Sequence, residues 1–171
     1  EAATPASRCA LDLGCGTGRD TVELQRRNWR VLAVDAEEAA LTELAGRSEA
    51  RAAKGRIEVK VGRFEAIALP DCDLVNGSFA LPLCPPDAFP PLWRRIRQAL
   101  KPGGRIACQL LGPRDSWAAR RPPIAIHSRT DIVALLDGMA VELLDEEETD
   151  STTPRGQKKH WHIFHVVARK G

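Results

Sequence analysis

The stretch Cys9-Ala10-Leu11-Asp12-Leu13-Gly14-Cys15-Gly16-Thr17-Gly18 constrains the rest of the chain most. A run that is apolar except for Asp12 stops at three alternate glycines, and a helix-periodic segment beginning at Arg19 follows at once. The spacing predicts a strand, a tight turn and a helix in succession. Glycine tolerates positive φ and has no Cβ, so a backbone built from it can curl beneath a ligand and touch it. Thr17 and Asp20 mark the predicted helix N-terminus, whose unpaired N–H groups would point into the same space. The second anchor is Arg30-Val31-Leu32-Ala33-Val34-Asp35, a β-rich run closing on an acid 21 residues after Gly14. In a βαβ unit this strand lies beside the first, and a carboxylate at its end can accept both hydroxyls of a ribose. The two features together predict a nucleoside site, with a ligand-free glycine turn as the competing explanation.

The glycine spacing bears on which nucleoside. A dinucleotide fingerprint is G-x-G-x-x-G, whereas Gly14, Gly16 and Gly18 give G-x-G-x-G, which points away from NAD. Asp12 to Gly18 resembles the first motif of class I S-adenosylmethionine (SAM) methyltransferases, and Asp35 resembles their ribose-binding acid. Lys101-Pro102-Gly103-Gly104 before a fifth strand is a further recurrent mark of that family. The resemblance implies SAM as cofactor, S-adenosylhomocysteine as product and activity in class EC 2.1.1. It implies a cofactor site drawn from Asp12, Gly14, Cys15, Gly16, Asp35, Ala36, Phe64, Ser78 and Phe79. In it Asp12 would order the loop and the methionine amino group, Gly14 and Gly16 would allow close approach, and Asp35 would hold the ribose. The family pattern often has an adenine-binding acid where this chain has Arg63. Arginine has no acceptor, so adenine recognition is expected to fall to Phe64 or Glu65.

Phe79-Ala80-Leu81-Pro82, Arg114-Asp115-Ser116-Trp117 and His160-Trp161-His162 resemble a small-molecule branch often labelled tellurite-resistance-type. That resemblance implies a small-molecule acceptor, walled by Phe79, Arg114, Trp117, His160 and Trp161. Members of the family usually carry one or two helices before the first strand. Here seven residues precede Arg8, so these cover helices are expected to be absent and the pocket more open.

At 171 residues and 43% hydrophobic content, the chain is expected to form one domain over 1–171. The formal charge of +2 is too small to argue for a nucleic-acid or membrane surface, and no apolar run approaches membrane-span length. The five cysteines are odd in number and form no C-x-x-C pair, which favours a reduced, cytoplasmic setting.

Further along, residues 37–53 read as a surface helix ended by Lys54-Gly55, and residues 56–61 alternate as an edge strand would. Residues 71–79 read as a fourth strand whose carboxyl end faces the cofactor. A proline-rich connection, a helix over 92–100, a turn at 101–104 and a fifth strand over 105–111 follow. Residues 112–117, extended by Arg120-Arg121-Pro122-Pro123, are expected to rim the pocket. A helix over 128–136 is capped by Ser128 with Asp131. Two strands, 139–144 and 159–169, are joined by a polar stretch and must pair antiparallel or leave the sheet. The expected class is α/β: a Rossmann-like three-layer sandwich with a mainly parallel seven-stranded sheet and an antiparallel terminal hairpin.

Methyl transfer from a sulfonium is an in-line displacement, and alignment alone can supply roughly 7–11 kcal/mol of its barrier. No universal acid or base is required, although His160 near the ligand edge is a candidate base. No metal is expected, because strand alternation puts His160 and His162 on one side and His165 on the other. Asn76-Gly77-Ser78-Phe79 lacks the two prolines of nucleic-acid amino-methylases, so Phe79 either stacks on a planar acceptor or packs beside the methionine part. Trp117 and Trp161 either wall the acceptor or pack. The acids 145–148 are expected to pair across a solvated hairpin with Lys158-Lys159, or to form a charged lid. The competing functions are a SAM-binding module without turnover and a nicotinamide oxidoreductase, which the glycine spacing opposes.

Overall fold

The computed structural model describes residues 8–52, 56–119, 122–152, 156 and 158–171. β1 (Cys9–Leu13) feeds the glycine loop, α1 (Arg19–Arg26) leaves it, and β2 (Arg30–Asp35) returns. Then come α2 (Glu38–Gly46), α3 (Ser48–Ala52), β3 (Ile57–Val61), β4 (Cys72–Gly77), α4 (Phe89–Ala99) and β5 (Leu100–Leu111). α5 (Arg129–Leu135), β6 (Met139–Thr152) and β7 (Lys158–Lys170) follow. The seven strands form one sheet in the order β3-β2-β1-β4-β5-β7-β6. β1 pairs in parallel with β2 and with β4, whereas β7 is antiparallel to both β5 and β6. Strand order therefore reverses beside β1, which opens a crevice over the carboxyl ends of β1 and β4.

The centre of the sheet is buried on both faces, as the continuous apolar run of β1 requires. Val22 of α1 and Leu41 and Leu44 of α2 close over Ala33 of β2 on one side. On the other, Phe89, Leu92, Trp93 and Ile96 of α4 and Ile132 of α5 pack in the main core with Leu11, Val75 and Ile106. The result is the expected sandwich, seven strands and antiparallel hairpin included. Among the described residues, no helix is long and apolar enough to cross a membrane.

Local boundaries differ from expectation where tertiary contacts prevail. Thr17 does not cap α1; Gly18 does, at φ 81° and with no side-chain cap, a left-handed backbone that glycine adopts without strain and a place where a Cβ would collide with Leu44. The 37–53 helix breaks at Arg47, whose backbone is extended, and Lys54-Gly55 lies outside the described residues. α4 begins at Phe89, with Pro90 and Pro91 in the first turn, where a missing N–H is harmless. β5 begins at Leu100 rather than 105, since Leu100 pairs with Cys72 while Arg105 pairs with Leu74. Lys101 to Gly104 is thus a bulge inside a paired strand, with Gly103 at φ 77°. Ser128 and Asp131 form the expected reciprocal cap on α5.

The largest departure is the hairpin. β6 and β7 pair from Met139 opposite Lys170 to Thr152 opposite Lys158, so residues 145–152 are strand, not connection. Cross-strand partners for the acidic side chains make a polar sequence viable as a strand.

Candidate functional site

The crevice is built on the loop between β1 and α1. Val34 O accepts hydrogen bonds from Gly14 N (2.8 Å) and Cys15 N (3.0 Å). The carboxylate of Asp35 accepts from Gly16 N on one oxygen (2.8 Å) and Glu37 N on the other (2.9 Å), so it shapes the loops that follow both strands. Gly14, Gly16 and Gly18 all have positive φ, but each meets different surroundings. A Cβ at Gly14 would strike the methyl of Ala80, whereas one at Gly16 would meet nothing within 4 Å. Gly16 thus has open space above it, and at Gly14 the absent side chain makes room for Ala80.

A cleft of about 310 Å³ opens here, lined by Gly14, Asp35, Ala36, Phe64, Ser78 and Phe79 together with Arg63, Glu65, Ala80 and Leu83. A smaller recess of about 160 Å³ shares Gly14 and Ser78 with it and reaches Asp12, Cys15, Thr17, Arg19 and Asp20. Eight of the nine residues expected to hold the cofactor line one or other of these cavities, and Gly16 is tied to them through Asp35. A further hollow of about 230 Å³, beside Cys9, Arg30 and Cys72, lies at the amino ends of β1, β2 and β4, away from the glycine loop.

Asp12 is only 2% exposed, and it accepts hydrogen bonds from Thr21 Oγ1 and Asn76 Nδ2. Burial raises its pKa, the two hydrogen bonds oppose this, and the charges of Asp20 and Asp35 add to the rise. Asn76 also donates to Asp20 (3.3 Å), which pairs with Arg19 (2.8 Å), and Arg19 Nη2 reaches Ser78 Oγ at 3.4 Å. The sequence reading missed this network. Its signal was the parallel register of β1 with β4, which sets Asn76 level with Asp12. Burial pushes the Cys15 thiol up to about 12, with Asp12 and Asp35 adding to the effect. Cys72, Cys84 and Cys108 are raised by burial to about 12, 11 and 12, so none of these four is a thiolate nucleophile at neutral pH.

Arg63 pairs with Glu65 at the cleft rim, and Arg95 Nη1 holds Glu65 O at 2.7 Å. Phe79 is 45% exposed at φ 54°, with its N–H donating to Gln109 Oε1 (3.1 Å). Its ring stands edge-on to Trp161 at 6.0 Å, and Trp161 lies 5.8 Å from Trp117. Phe79, Trp117 and Trp161 thus form one aromatic corner beside the cleft.

Arg114 and His160 belong elsewhere. Arg114 turns to Glu146 (3.2 Å) and Glu148 (2.7 Å), bracing the hairpin, and does not line the cleft. His160 places Nδ1 2.8 Å from Asp150 and Nε2 3.0 Å from Glu148. It lines a separate recess of about 580 Å³ that includes Ser116 and Lys158. Asp150 first and Glu148 second raise its pKa, and both ring nitrogens are engaged by those carboxylates at the hairpin. His162 is buried against Gly112 and meets Glu146 at 2.9 Å, while His165 meets Glu147 at 2.9 Å. These three histidines each turn to carboxylates of β6, and no metal-holding group of three His, Cys, Asp or Glu occurs among the described residues.

The expected pairing of Lys159 with the acidic run is also corrected. Lys159 points inward to Asp115, whose carboxylate further accepts from Trp117 N (2.8 Å) and His162 N (3.1 Å). Burial lowers the Lys159 pKa and Asp115 opposes the shift. Arg120 and Arg121, expected to rim the pocket, lie outside the described residues.

The methyltransferase domain family matches residues 10–104. Carboxy-S-adenosyl-L-methionine synthase of Shewanella sp. (strain ANA-3) is 31% identical over 99 residues, covering 56% of this chain and 41% of that protein. The chain thus spans less than half the length of the curated relatives it matches. TehB from Haemophilus influenzae superposes with a TM-score of 0.82 at 16% identity, over 98% of this chain and 59% of that one. The Burkholderia thailandensis 1,6-didemethyltoxoflavin-N1-methyltransferase, solved with 1,6-didemethyltoxoflavin and S-adenosylhomocysteine, superposes with a TM-score of 0.69 at 22% identity. It covers 95% of this chain and 71% of that one. At these identities the two solved structures speak to fold alone.

Proposed function

Because this chain belongs to the class I SAM-dependent methyltransferase family, we propose that it methylates a small-molecule acceptor bound beside the carboxyl ends of β1 and β4. The observation that carries this reading is the pairing of Gly16 with Asp35: open space above a glycine at φ 53°, next to a carboxylate that lines the cleft. A nucleoside fits such a cradle, since ribose hydroxyls can share the lone pairs Asp35 does not give to backbone N–H groups. Phe64, Ala36 and Leu83 offer an apolar wall for adenine, and Phe64 N–H and Glu65 are its polar neighbours. Asp12 acts indirectly, fixing Thr21 and Asn76 beneath the recess that would take the methionine end, with Cys15 and Ser78 along its wall.

When bound, SAM supplies an activated methyl group on sulfur. The chain's own part is alignment and exclusion of water, which can account for roughly 7–11 kcal/mol of a barrier, and we assign no general base. The 1,6-didemethyltoxoflavin-N1-methyltransferase is a precedent for a small acceptor on this fold. The five cysteines form no disulfide, which supports a reducing, cytoplasmic setting. Calorimetry with S-adenosylhomocysteine, followed by an acceptor screen that reads its formation from SAM, tests the proposal. Binding and turnover support it; NAD binding without a response to S-adenosylhomocysteine overturns it. Cofactor binding with no turnover across the screen favours the binding module instead.

A further inference from the structure

A cation lies beneath the aromatic corner. Lys159 Nζ is 4.1 Å from the centroid of the Trp161 ring and 4.2 Å from that of Trp117. Its counter-ion is Asp115, and the two side chains are 1% and 0% exposed. The pair is neutral as a whole, but the ammonium is the pole set against the rings. Trp161 is fixed further by Ser151 Oγ, which accepts its indole N–H at 2.8 Å, and by Phe79, whose ring stands at 74° to it. Phe79 lines the cleft and stays exposed at a positive φ that is strained for a non-glycine residue. Strain of that kind persists where the surroundings enforce it, and such positions cluster at ligand sites.

A ring whose face already holds a cation has its π-electrons drawn toward that charge. Its remaining surface then favours an electron-rich partner and disfavours a second cation, because aromatic pairing follows the ring quadrupole. We propose that the acceptor is a planar, electron-rich aromatic compound seated at the Phe79–Trp161 corner, and that ammonium compounds are rejected there. The inference rests on the reading of the adjoining cleft as the methyl-donor site. Lys159 is then a positioning residue, which holds Trp161 in place and sets the polarity of its ring.

The test uses the chain saturated with S-adenosylhomocysteine and three probes: β-naphthol, its saturated analogue β-decalol, and tetramethylammonium. β-Naphthol is expected to bind about three- to tenfold more tightly than β-decalol, to quench tryptophan fluorescence, and to be preferred over tetramethylammonium. Trp161→Leu should abolish the preference for the aromatic probe, and S-adenosylhomocysteine affinity in the same sample reports whether the cleft is intact. Lys159→Met leaves Asp115 buried alone, so the Lys159→Met/Asp115→Asn double variant is the one to use, and its preference for β-naphthol over tetramethylammonium should narrow. Equal binding of β-naphthol and β-decalol, or tighter binding of tetramethylammonium, overturns the inference while leaving the donor site standing. If the unaltered chain does not bind S-adenosylhomocysteine, the donor-site reading falls and takes this one with it.

Discussion

Gly16 and Gly18 share a left-handed backbone but stand in opposite surroundings, so the same substitution should have different effects. Gly16→Ala places its methyl in open space and is expected to cost stability only about 1–2 kcal/mol of backbone strain. If that space takes the ligand, S-adenosylhomocysteine affinity should fall more than about tenfold, or roughly 1.4 kcal/mol. Gly18→Ala drives a methyl into Leu44, and denaturant titration should show a stability loss of about 2–4 kcal/mol from overpacking plus strain. If Asp35 holds the ribose as proposed, Asp35→Ala removes two charge-assisted hydrogen bonds of about 1.5–3 kcal/mol each, so affinity should drop more than about a hundredfold. It also frees Gly16 N and Glu37 N. Asp35→Asn, which retains a carbonyl acceptor, separates loop loosening from ribose binding. Near-normal affinity in folded Asp35→Ala would rule out Asp35 as the ribose ligand. Gly16 and Asp35 were legible in the sequence because spacing along one βαβ unit is local information. The steric partner of Gly14 was not, since Ala80 arrives from beyond β4.

The hairpin of β6 and β7 carries titratable groups that predict a pH response. Arg114 first and His160 second pull the Glu148 pKa down to about 2, and Asp150 and Glu148 hold that of His160 above its ordinary 6.5. A depressed carboxylate stabilises the folded state above its ordinary 4.5, and this contribution is lost as pH falls toward about 2. A raised imidazole stabilises it below 6.5, and this is lost as pH climbs through the folded-state value. Amide exchange in β6 should therefore be slowest between pH 4.5 and 6.5, once corrected for intrinsic rates. His160→Gln should flatten the alkaline limb; an unchanged profile in that variant would show that the imidazole contributes nothing to the hairpin. The two strands were legible from their apolar halves. Residues 145–152 were not, because their strand character depends on side chains across the ladder, such as Asp150 opposite His160. The inward turn of Lys159 was hidden too: a lysine next to a lysine reads as solvated unless a buried carboxylate such as Asp115 is known to face it.

At the scale of the whole molecule, a ligand bound only by the native state should raise its melting temperature. S-adenosylhomocysteine at a hundred times its dissociation constant adds about 2.7 kcal/mol, which for a domain of this size is a shift of about 5–11 °C. NAD should give none, and EDTA should leave the shift unchanged; an EDTA-sensitive shift would reveal a metal that the paired histidines do not predict. The sheet order has a consequence for biosynthesis. β7 is translated after β6 yet lies between it and β5. At about 5–20 residues per second, a ribosome takes roughly one to four seconds to pass from the end of β6 to the end of β7. For that interval β6 has no partner strand, and β5 presents an open edge where β7 will dock. The most polar strand of the sheet is the one kept waiting, and its run of acids from Asp145 to Glu148 gives the nascent chain a charge barrier against pairing with its neighbours on the polysome.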